Sequence, residues 1–126
     1  MPTFCVNLIV RDIERSLQFY RSVLEAVVHY SDPDFAAVNL GGAALMLHAD
    51  HAYDANPWAP RLAANEARGL GAELRLLGID PDEVEARAQT LGALFKPVSV
   101  RGHGWREVMV EDPDGYVWAV GSLVSS

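Results

Sequence analysis

Glu111-Asp112-Pro113-Asp114-Gly115-Tyr116-Val117 stands between two alternating apolar runs and decides how the rest of the chain reads. Asp-Pro opens a turn, and Asp-Gly supplies the positive φ that closes it. Residues 105–111 and 116–122 therefore read as an antiparallel hairpin. A strand over 94–100 precedes it, and before that come a helix over 80–91 and a strand over 71–77. Asp80 opens the helix, Pro81 occupies its first turn and Glu83 is placed to help cap it.

The first half of the chain has the same order. Residues 3–10 alternate as a half-buried strand should, with Val6, Leu8 and Val10 on one face and Cys5, Asn7 and Ile9 on the other. Asp12 is placed as the N-cap of a helix in which Ile13, Leu17, Tyr20 and Leu24 recur at helical spacing, ending near 23–24. Strands over 27–31, 35–40 and 43–48 follow, separated by the Asp32-Pro33-Asp34 turn and the Gly41-Gly42 hairpin. The fold class is thus α+β, with two β-α-β-β-β modules: module 1 over about 1–48 and module 2 over about 69–126 of one domain spanning 1–126. The connector 49–68, with Pro57 and Pro60, is long for a plain connection and reads as a linker or as a flap over a site.

Composition limits the function classes. The 126 residues are 50% hydrophobic, ample for a packed core. The net charge of −7 would repel phosphate backbones and anionic membranes, so no nucleic-acid or membrane partner is expected. No stretch approaches the roughly 20 apolar residues of a membrane span, and Met1-Pro2-Thr3-Phe4-Cys5 lacks a signal pattern, so the expected location is cytoplasmic. The single cysteine reads as a reduced thiol that packs or lines a pocket. Arg101, His103 and Arg106 form a small basic group offset by Glu107 and Glu111, either a solvated strand edge or an anion patch.

Strand alternation sorts the sheet faces. Val6, Leu8, Val38, Leu40, Leu45, Leu47, Leu74, Leu76, Val108, Val110, Trp118 and Val120 face the helices. The other side carries Cys5, Asn7, Phe35, Ala37, Asn39, Met46, His48, Glu73, Arg75, Trp105, Glu107, Met109 and Ala119, a mixture typical of a pocket wall. Glu73, Arg75 and Glu107 could serve acid-base chemistry if two carboxylates crowd each other, or form an Arg75-centred ion pair. His48 and His51, with Asp50 and Asp54, are metal-like residue types in the setting of a loop end. Trp58 and Trp105 could stack on a flat ligand, each ring burying about 150 to 250 Å², or roughly 4 to 6 kcal/mol gross. Trp58 could equally pack under its own loop or at a dimer interface.

Two segments, Val10-Arg11-Asp12-Ile13-Glu14-Arg15-Ser16-Leu17-Gln18-Phe19-Tyr20 and Val110-Glu111-Asp112-Pro113-Asp114-Gly115-Tyr116, make the chain resemble the vicinal oxygen chelate superfamily. That group includes glyoxalase I, extradiol dioxygenases, fosfomycin-modifying enzymes and bleomycin-resistance proteins. The resemblance implies paired modules forming a cupped, mostly antiparallel sheet, commonly in a homodimer. It also implies four metal-ligand positions, which fall here on Cys5, Met46, Glu73 (or Ala72 if the alignment slips by one) and Ala119. Methionine is a soft, weak ligand and alanine is none, so no metal and no cofactor is expected. A Cys5, His48 and Glu73 alternative would move one ligand about 6 to 7 Å along its strand. Without a Lewis acid the inherited chemistry has no evident source.

The expected function is a metal-independent small-molecule binding protein resembling the bleomycin-resistance branch, sequestering an aromatic or amphipathic compound in a dimer cleft. The expected lining is Asn7, Phe35, Asn39, His48, Trp58, Glu73, Arg75, Trp105 and Glu107. An acidic chain suits a cationic ligand, with Glu73 and Glu107 offering charge pairing. The alternative is a glyoxalase- or dioxygenase-like lyase or isomerase with an atypical metal or acid-base site.

Overall fold

A computed structural model of the protein describes residues 1–53 and 55–123. The chain divides into two compact units, Met1–Glu66 and Ala67–Ser126. The first unit runs β1 (Val6–Val10), α1 (Ile13–Ser22), β2 (Val27–Ser31), β3 (Phe35–Leu40) and β4 (Ala43–Ala49). A 3-10 turn at Asp50–Tyr53 and the one-turn helix α2 (Ala59–Leu62) follow. The second unit runs β5 (Leu74–Leu77), α3 (Pro81–Leu91), β6 (Leu94–Val100), a short 3-10 turn, β7 (Trp105–Glu111) and β8 (Val117–Leu123). Each unit has a four-stranded mixed sheet, ordered β1-β4-β3-β2 in one and β5-β8-β7-β6 in the other. In both, the first strand pairs in parallel with the last and the remaining pairs are antiparallel. The α+β class and the two β-α-β-β-β modules are as the sequence implied.

Both helices begin at an aspartate. Asp12 is extended and its Oδ2 accepts from the Arg15 amide at 3.0 Å, while Asp80 Oδ1 accepts from the Asp82 amide at 2.9 Å. At the far end of α3, Gly92 takes the left-handed conformation and its N–H closes the last turn onto Ala88 and Gln89. Helix α1 buries Ile13, Leu17, Phe19 and Tyr20, and α3 buries Val84 and Ala88. Of the sheet positions assigned to the helix side, Leu8, Val38, Leu40, Leu45 and Leu47 are buried in one unit and Val108, Val110, Trp118 and Val120 in the other, while Val6, Leu74 and Leu76 are half-buried.

The D-P-D-G hairpin forms as its composition dictates. Asp112 Oδ1 accepts from the amides of Asp114 and Tyr116, both at 2.9 Å, and Gly115 has φ +102°. The Asp114 carbonyl accepts from the Arg68 amide at 2.8 Å, and a Cβ at Gly115 would lie 2.7 Å from Ala67. The connector ends against this turn. Its earlier part is tied to the first unit, since Arg11 donates to the carbonyls of Ala64 and Glu66.

Four strands differ in their limits from the sequence reading, β4 by ending at Ala49 rather than at residue 48. Strand β1 starts at Val6, where its ladder with Leu45 begins, so residues 3–5 lie outside the sheet. Strand β5 starts at Leu74, because Gly69 and Gly71 take positive φ and the Ala72 amide turns back onto the Gly69 carbonyl. Strand β8 runs one residue later at both ends.

Candidate functional site

The candidate lining residues fall into two groups, one in each unit. In the first unit, Phe35 and His48 are directly paired across β3 and β4, with ring centroids 4.7 Å apart. His48 Nδ1 contacts Asn7 Oδ1 at 2.6 Å, and Tyr30 lies 6.2 Å from Phe35 on the other side. Asn39 pairs with Ala44 and Val27 at the far end of the sheet, away from this row. Trp58 precedes α2 and is 47% exposed. The Tyr30 hydroxyl donates to Asp32 Oδ2 at 2.7 Å. That bond holds the Asp32 carboxyl below the usual carboxylate range and raises the Tyr30 phenol above its ordinary value. His51 contacts Asp34, stitching the β2–β3 turn to the segment after β4. Asp54 lies outside the described residues.

In the second unit, Glu73, Arg75, Trp105 and Glu107 form one connected cluster. Glu107, with a side chain only 4% exposed, accepts at Oε1 from the Trp105 indole N–H at 2.6 Å and from Arg75 Nη2 at 3.2 Å. Arg75 Nη1 donates to Glu73 Oε1 at 2.5 Å, and its guanidinium lies 5.3 Å from the Trp105 ring centroid. The Glu73 hydrogen bond, followed by that of Glu107, holds the Arg75 guanidinium still more firmly in its charged form. Arg75 is therefore the centre of an ion pair shared with both carboxylates, and Trp105 has its indole fixed by a buried carboxylate.

Arg75 reaches Glu107 across an intervening strand. Strand β8 lies between β5 and β7, and at the crossing it presents Ala119, opposite Arg75, and Gly121, opposite Glu107. Two strand spacings are about 9.6 Å, so an arginine can bridge them only over small residues. Gly121 cannot be larger, because a Cβ there would lie 1.9 Å from the Arg106 carbonyl oxygen. This passage was not read from the sequence. The alternation of small residues Ala119 and Gly121 along one face of a strand is the signal that could have revealed it.

Beside the cluster is an open groove of about 280 Å³. Its walls are Leu70, Phe95, Met109 and Val117, with backbone of Gly69, Gly71 and Gly115, and Glu73 stands on it. Phe95 and the glycine turn also escaped the sequence reading.

Two expectations need correction. Cys5 is not packed: it is exposed ahead of β1, with Sγ 3.6 Å from the Val6 carbonyl. Arg106 is not offset by Glu107, which faces the opposite side of β7; Arg106 pairs with Asp82 of α3 at 2.9 Å.

The metal-ligand positions implied by the resemblance do not supply a cage. Ala119 is fully buried and has no donor, Met46 offers a thioether, and Glu73, with one oxygen on Arg75, is the single carboxylate of the four. His48 is engaged with Asn7 and Phe35. Among the described residues, no three His, Cys, Asp or Glu side chains gather at metal-binding distances. The donor set does not fit a divalent ion.

The twin β-α-β-β-β modules and the mixed face of each sheet define a class, and comparison with known proteins gives it a family. A family model described as Glyoxalase/Bleomycin resistance protein/Dioxygenase superfamily matches residues 4–120, and the chain belongs to that superfamily. A protein of unknown function from Agrobacterium tumefaciens is similar at 25% identity and a TM-score of 0.77, over 98% of this chain and 95% of that one. A glyoxalase/bleomycin resistance protein/dioxygenase family enzyme from Burkholderia phytofirmans has 22% identity and a TM-score of 0.77, over 95% and 97%. The fosfomycin resistance protein FosX from Listeria monocytogenes has 18% identity and a TM-score of 0.71, over 98% and 94%. The last two likenesses show the fold alone. The search of curated proteins gave no match. No helix among the described residues is long and apolar enough to cross a membrane.

Proposed function

We propose that this chain is a metal-independent small-molecule binding protein, holding an aromatic or amphipathic compound and acting as a homodimer. The observation that carries this reading is the fixed Trp105 plate. A buried carboxylate orients the indole and Arg75 covers part of it, and the same unit carries an apolar groove that reaches the cluster at Glu73. Preorganised aromatic surface favours binding because little side-chain freedom remains to be lost. In the same unit, the position where the resemblance implies a liganding carboxylate is Ala119, so the face is built for contact with an organic molecule rather than for Lewis-acid chemistry. Within the first unit, Asn7, Phe35 and His48 are the proposed contact residues, and within the second Glu73, Arg75, Trp105 and Glu107.

The test is a thermal-shift screen over aromatic and amphipathic compounds. A ligand at a hundredfold excess over its Kd stabilises the native state by about 2.7 kcal/mol, well within detection. Hits must also move the Trp105 indole N–H resonance, and Trp105→Ala must weaken them. A protein that purifies with a stoichiometric divalent ion required for turnover is instead the enzyme of the alternative reading, and one that no compound stabilises overturns the binding role. Sedimentation equilibrium checks the dimer.

A further inference from the structure

Resting on the proposed binding role, we infer that the groove of the second unit takes a small aromatic or aliphatic primary amine, its ammonium on Glu73 and its apolar body between Phe95 and Met109. Four observations lead there. The groove, at about 280 Å³, sits at the small end of ligand pockets. Leu70, Phe95, Met109 and Val117 make its side-chain walls apolar, with Phe95 56% exposed. Among the described residues, Glu73 is the one ionisable side chain on the lining. The cluster behind it holds two carboxylates and one guanidinium, leaving one negative charge uncompensated.

The sequence suggested Glu73 and Glu107 as equal partners for a cation, and the structure separates them. Glu107 is buried and its Oε1 is shared by Trp105 and Arg75, so an incoming cation would have to displace both. Glu73 is 42% exposed, gives Oε1 to Arg75, and its Oε2 takes no hydrogen bond among the described residues. An ammonium, compact and rich in donors, fits that second oxygen; a carboxylate ligand would meet like charge. Exposure and the nearby Arg75 keep the preference modest, on the order of twofold to fivefold over a neutral isostere at low salt, and screening reduces it further.

The probes are phenethylamine, phenethyl alcohol and phenylacetate, titrated into the ¹⁵N- and methyl-labelled protein at low salt. The amine is expected to bind at least about twofold more tightly than the alcohol, in the range of an exposed ion pair, with the acid weakest. Its shifts should centre on the Met109 methyl and the amides of Gly69 and Gly71. Glu73→Gln should bring the amine-to-alcohol ratio to about one, and Phe95→Ala should weaken both compounds. A wild-type ratio below about twofold, or one that survives Glu73→Gln, overturns the inference while leaving the binding role standing. Binding of larger aromatic compounds at Trp105 with no response to any of the three probes does the same. Failure of every compound, large or small, overturns both.

Discussion

Replacing Glu107 tests whether the Trp105 plate is held from beneath. The carboxylate is 4% exposed and its Oε1 serves two donors, the indole N–H at 2.6 Å and Arg75 at 3.2 Å. Hydrogen bonds to a charged group are each worth about 1.5 to 3 kcal/mol, but the buried carboxylate itself carries a desolvation penalty that its removal relieves. The usual large loss on breaking a buried pair, about 3 to 5 kcal/mol, comes from a stranded buried charge. Arg75 is 40% exposed and keeps Glu73, so nothing comparable is stranded here. Glu107→Ala should therefore destabilise by only about 2 to 3 kcal/mol, the two bonds less the relieved desolvation. Glu107→Gln keeps an acceptor for the indole and loses the ionic contact, for about 1 kcal/mol. Urea unfolding followed by far-UV circular dichroism gives both values, and the Trp105 indole resonance reports the plate directly: little moved in Glu107→Gln, strongly moved in Glu107→Ala. If Glu107→Ala unfolds within about 0.5 kcal/mol of the parent, the scatter of an ordinary surface change, and its indole resonance stays put, Glu107 does not hold Trp105.

Other perturbations test other parts of the structure. Asp112→Ala leaves the amides of Asp114 and Tyr116 without their side-chain acceptor and should cost about 2 to 4 kcal/mol in urea unfolding, whereas Asp112→Asn retains a carbonyl oxygen and should lose less than half of that. Ser99 Oγ is buried and has no hydrogen-bond partner among the described groups, so Ser99→Ala should be neutral or stabilise by up to about 1 kcal/mol; a clear loss would show that the hydroxyl has a partner. The Asp32 carboxyl is depressed by the Tyr30 hydroxyl, so its contribution is present above the ordinary aspartate range and is lost as pH falls through the lowered value. The raised Tyr30 phenol contributes below pH about 10 and loses that as pH rises through its higher value. Carboxyl NMR titration of Tyr30→Phe should show Asp32 moving up toward the usual range, and an unmoved Asp32 would refute the pairing.

What the sequence carried well were the local devices. Asp12 and Asp80 cap helices, and Asp32 and Asp112 close turns, through hydrogen bonds to amides two to four residues on, so the residue type and its neighbours suffice to place them. Period-two alternation likewise put Val108 and Val110 in the core and Trp105, Glu107 and Met109 on the other face, because a strand leaves no third choice. Pairings between elements were harder. That Arg106 meets Asp82 rather than Glu107 depends on which helix covers β7, and that Arg75 meets Glu107 depends on β8 lying between β5 and β7, facts of sheet order that no local spacing encodes. The groove depends on a glycine turn at 69–71 that interrupts what alternation alone would extend as a strand.

Sheet order also makes two features of this face a single fact. Position 119, where the resemblance to metal-dependent relatives implies a carboxylate, is the residue over which Arg75 passes on its way to Glu107. Ala119→Glu would place a carboxylate directly opposite Arg75, nearer than Glu107, on a site with no exposed surface. Arg75 would turn to it, Glu107 would lose its cationic partner, and three carboxylates would share one face with a single guanidinium. Overpacking costs about 1 to 3 kcal/mol and the crowded charge adds to it, so a loss of about 2 to 4 kcal/mol at neutral pH is expected. Crowding raises the folded-state pKa of at least one of these acids, so the native state holds the extra proton more tightly than the unfolded chain. The deficit should then shrink as pH falls from 7 toward 5 and deepen as pH rises, which a urea series at several pH values would resolve. A variant as stable as the parent at every pH, with the Trp105 indole resonance unchanged, would show that Arg75 does not need the gap. If the deficit follows pH as argued, restoring the relatives' ligand dismantles the aromatic plate. The two uses of this sheet face then exclude each other, and the alanine at 119 is the choice between them.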